Sequence, residues 1–178
     1  MIRNEKLDNW IQKITGAKTT HIQKRPFRDD KRIRKLRVIP LGGLDEVGKN
    51  MTIFEYGNEI IIVDMGFQFP EEDMLGVDYV IPDISYLENK KNRILGVIIT
   101  HGHMDHIGAI PYLLPKLGMP KVFATKLTRG LIEKRLEEFG LLKLTNLNTI
   151  KPEEMLKFVP FTLNFFRVAH SITDGVGL

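Results

Sequence analysis

The 178 residues contain no cysteine, so disulfides, thiolate metal sites, iron–sulfur clusters and a thiol nucleophile are all excluded. Any metal must be held by nitrogen and oxygen. Long apolar runs are lacking too, the longest being a handful of residues at 60–63 and 96–99, against the ~20 needed to cross a bilayer. The first eight residues alternate in charge and do not open into an apolar stretch, so they do not read as a secretory signal, and a cytoplasmic location is expected. With 43% apolar and 27% charged residues, the chain is neither wholly disordered nor collagen-like nor a coiled coil. At ~150 residues per domain, one core is expected.

Negative charge is scarce at the start. Residues 1–37 hold 12 Lys/Arg against 4 Asp/Glu, and the rest hold 14 against 18, so the net +4 averages a basic arm and an acidic body. The run 24–35 has little apolar periodicity and is expected to stay mobile until an anionic partner arrives. Nucleic acid is one such partner, and a solubilising tail is the alternative reading. The expected division is a basic, disordered arm at 1–35, with a short helix near 7–14 and a solvent-exposed His21, followed by a domain at 36–178.

Within that domain the first packing-grade pattern is 36–41. Two β-rich runs at 51–56 and 59–63 flank Gly57-Asn58, a hairpin signal. An irregular segment, 64–82, leads to a short helix over 84–89 that Asp83 caps, and then to a buried strand over 93–100. Helical pattern follows at 107–117, a strand at 121–124, and a helix over 126–139 that places Leu131, Ile132, Leu136 and Phe139 on one face and stops at Gly140. Strands are predicted at 149–151, 157–161 and 163–169. This order predicts a mixed α/β layered fold. The last residues, Asp174-Gly175-Val176-Gly177-Leu178, read as the opening of another strand, as though the chain were cut short.

The strongest chemical signal is Thr100-His101-Gly102-His103-Met104-Asp105-His106, where a buried strand gives way to a helix. His101 and His103 project to one side of extended backbone. Asp105 and His106 reach the same space from the opening of the helix. Imidazole and carboxylate are the donors that Zn²⁺ or Mn²⁺ accepts, and their split into two groups allows two adjacent metals. His170 ends a later strand as His101 ends the earlier one and is a further candidate ligand. Asp64 ends the strand 60–63; it either caps a turn or orients a metal-binding histidine through the other ring nitrogen. Residues 43–50 match phosphate-loop spacing except that Asn50 stands where Ser/Thr must reach Mg²⁺. Asp45 and Glu46 would also repel phosphate, and a strand follows instead of a helix. Gly42, Gly43 and Gly48 are expected to form a tight turn beside the metal site.

His101-x-His103-x-Asp105-His106, with Asp64 before it and His170 after it, resembles the metallo-β-lactamase superfamily. Residues 40–51 (PLGGLDEVGKNM), 63–84 (VDMGFQFPEEDMLGVDYVIPDI) and 170–174 (HSITD) narrow the resemblance to its ribonuclease J branch, over about 36–178. The resemblance implies the first half of an αββα sandwich. It implies that His101, His103 and His170 hold one divalent ion, that Asp105 and His106 help hold a second, and that Asp64 orients a ligand. The ions would be zinc first, with Mn²⁺ or Mg²⁺ as alternatives. A water or hydroxide between them would attack an RNA phosphodiester, giving 5′-to-3′ exonuclease action on 5′-monophosphate RNA together with endonuclease action. RNA is the implied partner, with no membrane, and the full-length relatives act as dimers or tetramers.

The family pattern also carries a bridging Asp, a later His and an inserted RNA-channel domain beyond this chain's last residue. The expectation is therefore weak or single-metal occupancy, little turnover and an apolar sheet face open to solvent. Asp45, where many relatives carry Gly, and Gly175, where Ser is common, depart from the pattern. Two other functions stay open: a small-molecule metallo-hydrolase of the same superfamily, and a non-enzymatic RNA- or partner-binding module with a vestigial metal site.

Overall fold

The computed structural model describes residues 35–178; the expectations for the arm, the helix at 7–14 and His21 lie outside the described residues. Six strands form the main sheet in the order β1 (Leu36–Gly42), β2 (Met51–Tyr56), β3 (Glu59–Val63), β4 (Ile94–Ile98), β5 (Val122–Ala124), β6 (Leu147–Thr149). The first three run antiparallel and the rest are parallel to β3. The predicted hairpin forms, pairing Tyr56 with Glu59. Gly57 takes the left-handed φ of 61° that opens its turn, while Asn58 does not.

The central strands are buried on both faces, and their period of two sorts side chains into two cores. Ile60, Ile62, Val97, Ile99, Val122 and Ala124 face one layer; Ile61, Ile98 and Phe123 face the other. On the first face lie the short helices α1 (Met104–Ile107) and α2 (Ile110–Leu113) and the longer α3 (Lys126–Glu138). The second face carries the hairpin of β7 (Met155–Phe158) and β8 (Phe161–Asn164) and the pair β9 (Phe166–Arg167) and β10 (Val176–Gly177).

Several sequence expectations change here. The helix expected over 107–117 is two single turns, because Pro111 has no amide to continue a ladder through Gly108-Ala109. The helix predicted over 84–89 is one 3₁₀ turn, Ser85–Leu87, with Asp83 accepting the Ser85 amide at 2.9 Å. In α3, Ile132 and Leu136 are buried with Thr128, but Leu131 and Phe139 are 39% and 40% exposed. The helix ends as expected: Gly140 takes φ 67°, and the Leu141 and Gly140 amides return to the Leu136 and Glu137 carbonyls. The strand predicted over 157–161 spans the turn between β7 and β8, and 163–169 is broken at Phe165. The sheet face expected to lie open is covered at Ile61, Ile98 and Phe123 by Leu156, Phe158, Phe161, Leu163 and Phe165. Exposed apolar side chains lie elsewhere in that layer, at Met155, Val159 and Phe166.

One polar group is buried in the sheet. Glu55, 4% exposed on β2, receives hydrogen bonds from Tyr86 and Arg93, with Lys90 at 3.7 Å. Arg93 also donates to the Gly57 and Asn58 carbonyls, tying the hairpin turn to the start of β4. Burial pushes the Glu55 carboxyl up, but these hydrogen bonds and the two cations outweigh it and hold the group below its ordinary range. A depressed folded-state pKa stabilises the fold above the unfolded value, ~4.3, and that contribution is lost as pH falls through the folded value. Glu55→Gln is therefore expected to cost about 2 kcal/mol at pH 7. Thermal melts should show its deficit shrinking below pH 4; a deficit independent of pH would sink this account.

Candidate metal centre

The parallel pairing of β3 with β4 brings their carboxyl ends together, the position where open α/β sheets place ligand sites. Asp64 follows β3 and takes φ 63°, a left-handed conformation that costs a non-glycine residue ~1–2 kcal/mol. Its contacts hold it there. The Asp64 amide donates to the Ile98 carbonyl at 2.8 Å, and Oδ1 accepts the Thr100 amide at 2.8 Å. Oδ2 accepts the Thr100 hydroxyl at 2.9 Å and lies 2.8 Å from His106 Nδ1. The carboxylate is buried. It accepts the N–H of His106 Nδ1, which fixes the orientation of that ring.

His101, His103 and His170 converge, with one ring nitrogen from each lying within 4.8 Å of the others. His101 is 8% exposed, His103 is half-buried and His170 is exposed. His101 Nδ1 lies 3.0 Å from the Thr100 hydroxyl, while its Nε2 is buried without a hydrogen-bond partner. Burial first, then the neighbouring His106, His170 and His103, push the His101 pKa down to about 4 against the opposing pull of Asp64. It is a neutral imidazole at pH 7. His106 moves the other way: burial lowers it, but the Asp64 hydrogen bond and charge, with Asp105, raise it on balance.

Asp105 and His106 stand beside this trio, with His106 and His101 rings 3.9 Å apart between centroids. Asp105 Oδ2 lies 3.3 Å from His106 Nε2. The two do not join the three histidines in a single cluster of donors among the described residues. Between them sits a residue that the sequence reading passed over. Asn50 Nδ2 donates to Asp105 Oδ2 at 3.0 Å and to the Asp105 carbonyl at 3.1 Å, and lies 3.2 Å from His106 Nε2. The Asn50 amide also donates to the Asp105 carbonyl at 3.0 Å. The glycine turn thus does lie beside the site, and its last residue touches it. Asp45 in that turn takes φ 56°, in the left-handed region that glycine adopts freely and Asp tolerates. A side chain at Gly175 would meet Val168 and His101 only at ordinary contact distance, so the glycine is not sterically required.

A buried imidazole with an orphaned nitrogen, facing two further imidazoles with no counter-charge among them, is poorly matched to an apolar filling and well matched to a divalent cation. A family model described as Metallo-beta-lactamase superfamily matches residues 44–172. The chain belongs to this superfamily. Among curated proteins the chain is similar to Ribonuclease J of Synechocystis sp. (45% identical over 141 residues; 79% of this chain, 22% of that protein). It also matches Ribonuclease J2 of Bacillus subtilis (43% over 148 residues; 83% and 26%) and Ribonuclease J of Thermus thermophilus (44% over 149 residues; 80% and 26%). The chain spans about a quarter of the length of these relatives. Solved structures share the fold. A protein of unknown function from Enterococcus faecalis superposes with a TM-score of 0.59 at 15% identity, over 80% of this chain and 40% of that one. Rubredoxin oxygen:oxidoreductase from Desulfovibrio gigas gives 0.52 at 19%, over 79% and 35%. Among the described residues no helix is long and apolar enough to cross a membrane.

Proposed function

We propose that this chain forms the metal-binding part of a ribonuclease J-type enzyme that hydrolyses RNA phosphodiester bonds. The observation that carries the reading is the trio His101, His103 and His170 with the orphaned Nε2 of His101, set in a sequence 45% identical to a ribonuclease. On this reading the three histidines hold one divalent ion, and Asp105 with His106 helps hold a second, zinc before Mn²⁺ or Mg²⁺. Bound divalent ions lower the pKa of water and neutralise charge on the attacked phosphate. The protein's own contribution is to hold imidazole and carboxylate donors in place. Asp64 fixes the His106 tautomer through Nδ1, and Asn50 steadies the Asp105 carboxylate. Action from 5′-monophosphate ends together with internal cutting, RNA as partner, a cytoplasmic location, and dimers or tetramers of the full-length protein belong to the same proposal.

The deciding experiment is cleavage of 5′-labelled RNA under Zn²⁺ or Mn²⁺ by the chain and by His103→Ala. Slow cleavage is expected, and the substitution should reduce it at least about a hundredfold, beyond the cost of losing a residue that only orients a ligand. Faster hydrolysis of a chromogenic lactam than of RNA would instead support the small-molecule hydrolase. Salt-sensitive RNA binding without cleavage, unchanged by His103→Ala, would support the non-enzymatic module. Asp64→Asn, which leaves His106 free to change tautomer, is expected to weaken metal binding at Asp105 and His106 by about ten- to a hundredfold. Calorimetric titration with zinc would detect this as loss of a second binding step; a titration identical to the parent's would refute it.

A further inference from the structure

The segment that carries His170 is fastened to helix α3 by one residue. Asp174 Oδ2 accepts the Leu127 amide at 2.9 Å, and the Asp174 carbonyl accepts the Thr125 hydroxyl at 2.9 Å. Thr125 is the N-cap residue of α3, with extended backbone (φ −65°, ψ 165°), yet its side chain makes no capping bond to the helix. A capping threonine ordinarily accepts an amide of the first turn. Here its hydroxyl turns outward to Asp174, and the Leu127 amide finds its acceptor 47 residues downstream. Thr128 Oγ1 lies 3.1 Å from Thr125 Oγ1, and both threonines are fully buried. With the Thr125 proton given to Asp174, Thr128 donates to Thr125. The result is a cap shared between two segments of chain, closed to water at its inner end.

Asp174 adopts φ 72°, a left-handed conformation that a non-glycine residue keeps only where its surroundings fix it. Four residues earlier, His170 is exposed, and its ring meets His103 Nδ1 at 3.2 Å. Beyond Asp174, the Val176 amide donates to the Thr100 carbonyl, next to His101. Between them, Ile172 approaches Gly102, in the middle of the His101–His103 turn. An exposed imidazole on a loop must be ordered before it can complete a three-nitrogen centre, and the shared cap orders the end of that loop.

We propose that Asp174 is a positioning residue for His170, setting metal affinity by holding the loop 170–174 against the start of α3. The proposal rests on the reading of the three histidines as metal ligands. It is tested by zinc competition with a chromogenic chelator on the 178-residue chain and its variants. Asp174→Ala is expected to weaken binding by about ten- to a hundredfold, the range for residues that orient ligands. Asp174→Asn, whose amide oxygen can still accept the Leu127 N–H, should stay within about threefold of the parent on the same scale. Ile132→Val trims a buried side chain of the same helix and should lower the melting temperature while leaving zinc affinity unchanged. In a His170→Ala background, Asp174→Ala should add no further loss, because its effect runs through that imidazole.

Parent-like binding by Asp174→Ala, an equal loss in Ile132→Val, or an undiminished further loss on His170→Ala would each overturn the role of Asp174 and leave the histidine centre standing. A parent that binds no zinc, or a His170→Ala variant that binds like the parent, would overturn the centre and the role of Asp174 together.

Discussion

Replacing Gly66 by alanine is expected to lower the melting temperature by about 10 °C and to remove the metal binding proposed at Asp105 and His106. Gly66 has no positive φ among the described residues, so the requirement is for space and not for backbone freedom. A methyl group there would be driven into the Asp105 carbonyl, well inside van der Waals contact, and would stand 2.9 Å from the Asn50 amide nitrogen. Both obstacles are backbone, which cannot swing aside as a side chain can. The three strands of chain that meet here are also bonded to one another. The Gly66 amide donates to the Asn50 carbonyl, Met65 to His106, Phe67 to Met104 and Ala109 to Met65, all between 2.8 and 3.3 Å. Overpacking usually costs ~1–3 kcal/mol, and with backbone on the far side the upper end applies, about 3 kcal/mol. At ~2–4 °C per kcal/mol for a chain of this size, that gives the predicted shift. Gly130→Ala is the control. A Cβ at Gly130, inside α3, meets nothing within 4 Å, so the substitution should raise stability by ~0.5–1 kcal/mol. Thermal melts and zinc titrations of the two variants decide the matter; a Gly66→Ala protein melting with the parent would show that the three segments yield easily.

The contrast between these glycines also shows what the sequence could express. The hairpin of β2 and β3 was legible because both its turn and its alternation are local. So was the clustering of candidate ligands, because His101, His103, Asp105 and His106 fall within six residues and strand geometry alone puts the first two on one side. Asp64 and His170 could be read as strand ends, but the contacts of Asp64 with the Thr100 amide and His106 Nδ1 follow only from the pairing of β3 with β4. Asn50 was missed for the same reason in stronger form. Its partners lie 55 and 56 residues away, and the local spacing drew attention to a phosphate loop that the chain does not have. Asp174 reaches across 47 residues to Leu127. The helical misreadings have a different origin. Apolar period alone carried the expectation over 107–117 past Gly108 and Pro111, and put Leu131 and Phe139 on one face with Ile132 and Leu136, whereas α3 turns only its Thr128, Ile132 and Leu136 face fully inward.

His101→Leu is expected to abolish zinc binding at the three-histidine centre while leaving the metal-free chain at least as stable as the parent. These two effects together separate a ligand from a core residue. A histidine retained for packing would satisfy both ring nitrogens or one nitrogen and water, and replacing it would cost stability. His101 instead buries Nε2 with no partner and is held neutral, with a pKa pushed down to about 4. An unpaired buried nitrogen costs ~1–3 kcal/mol, so an apolar side chain of similar reach removes that penalty and offsets the loss of the Thr100 contact. Metal binding should move the opposite way. With one of three nitrogen donors gone, affinity is expected to fall by at least about a hundredfold, more than the loss of an orienting residue produces. The two quantities can be measured on the same samples, by thermal melting with a chelator present and by zinc competition. A variant that melts several degrees below the parent yet binds zinc as tightly would return His101 to the core and leave the superfamily's metal chemistry without its buried ligand in this chain. The expected pair of results, equal or higher stability with lost affinity, would mean that the fold carries an unfavourable contact at the end of β4 that only a bound cation relieves.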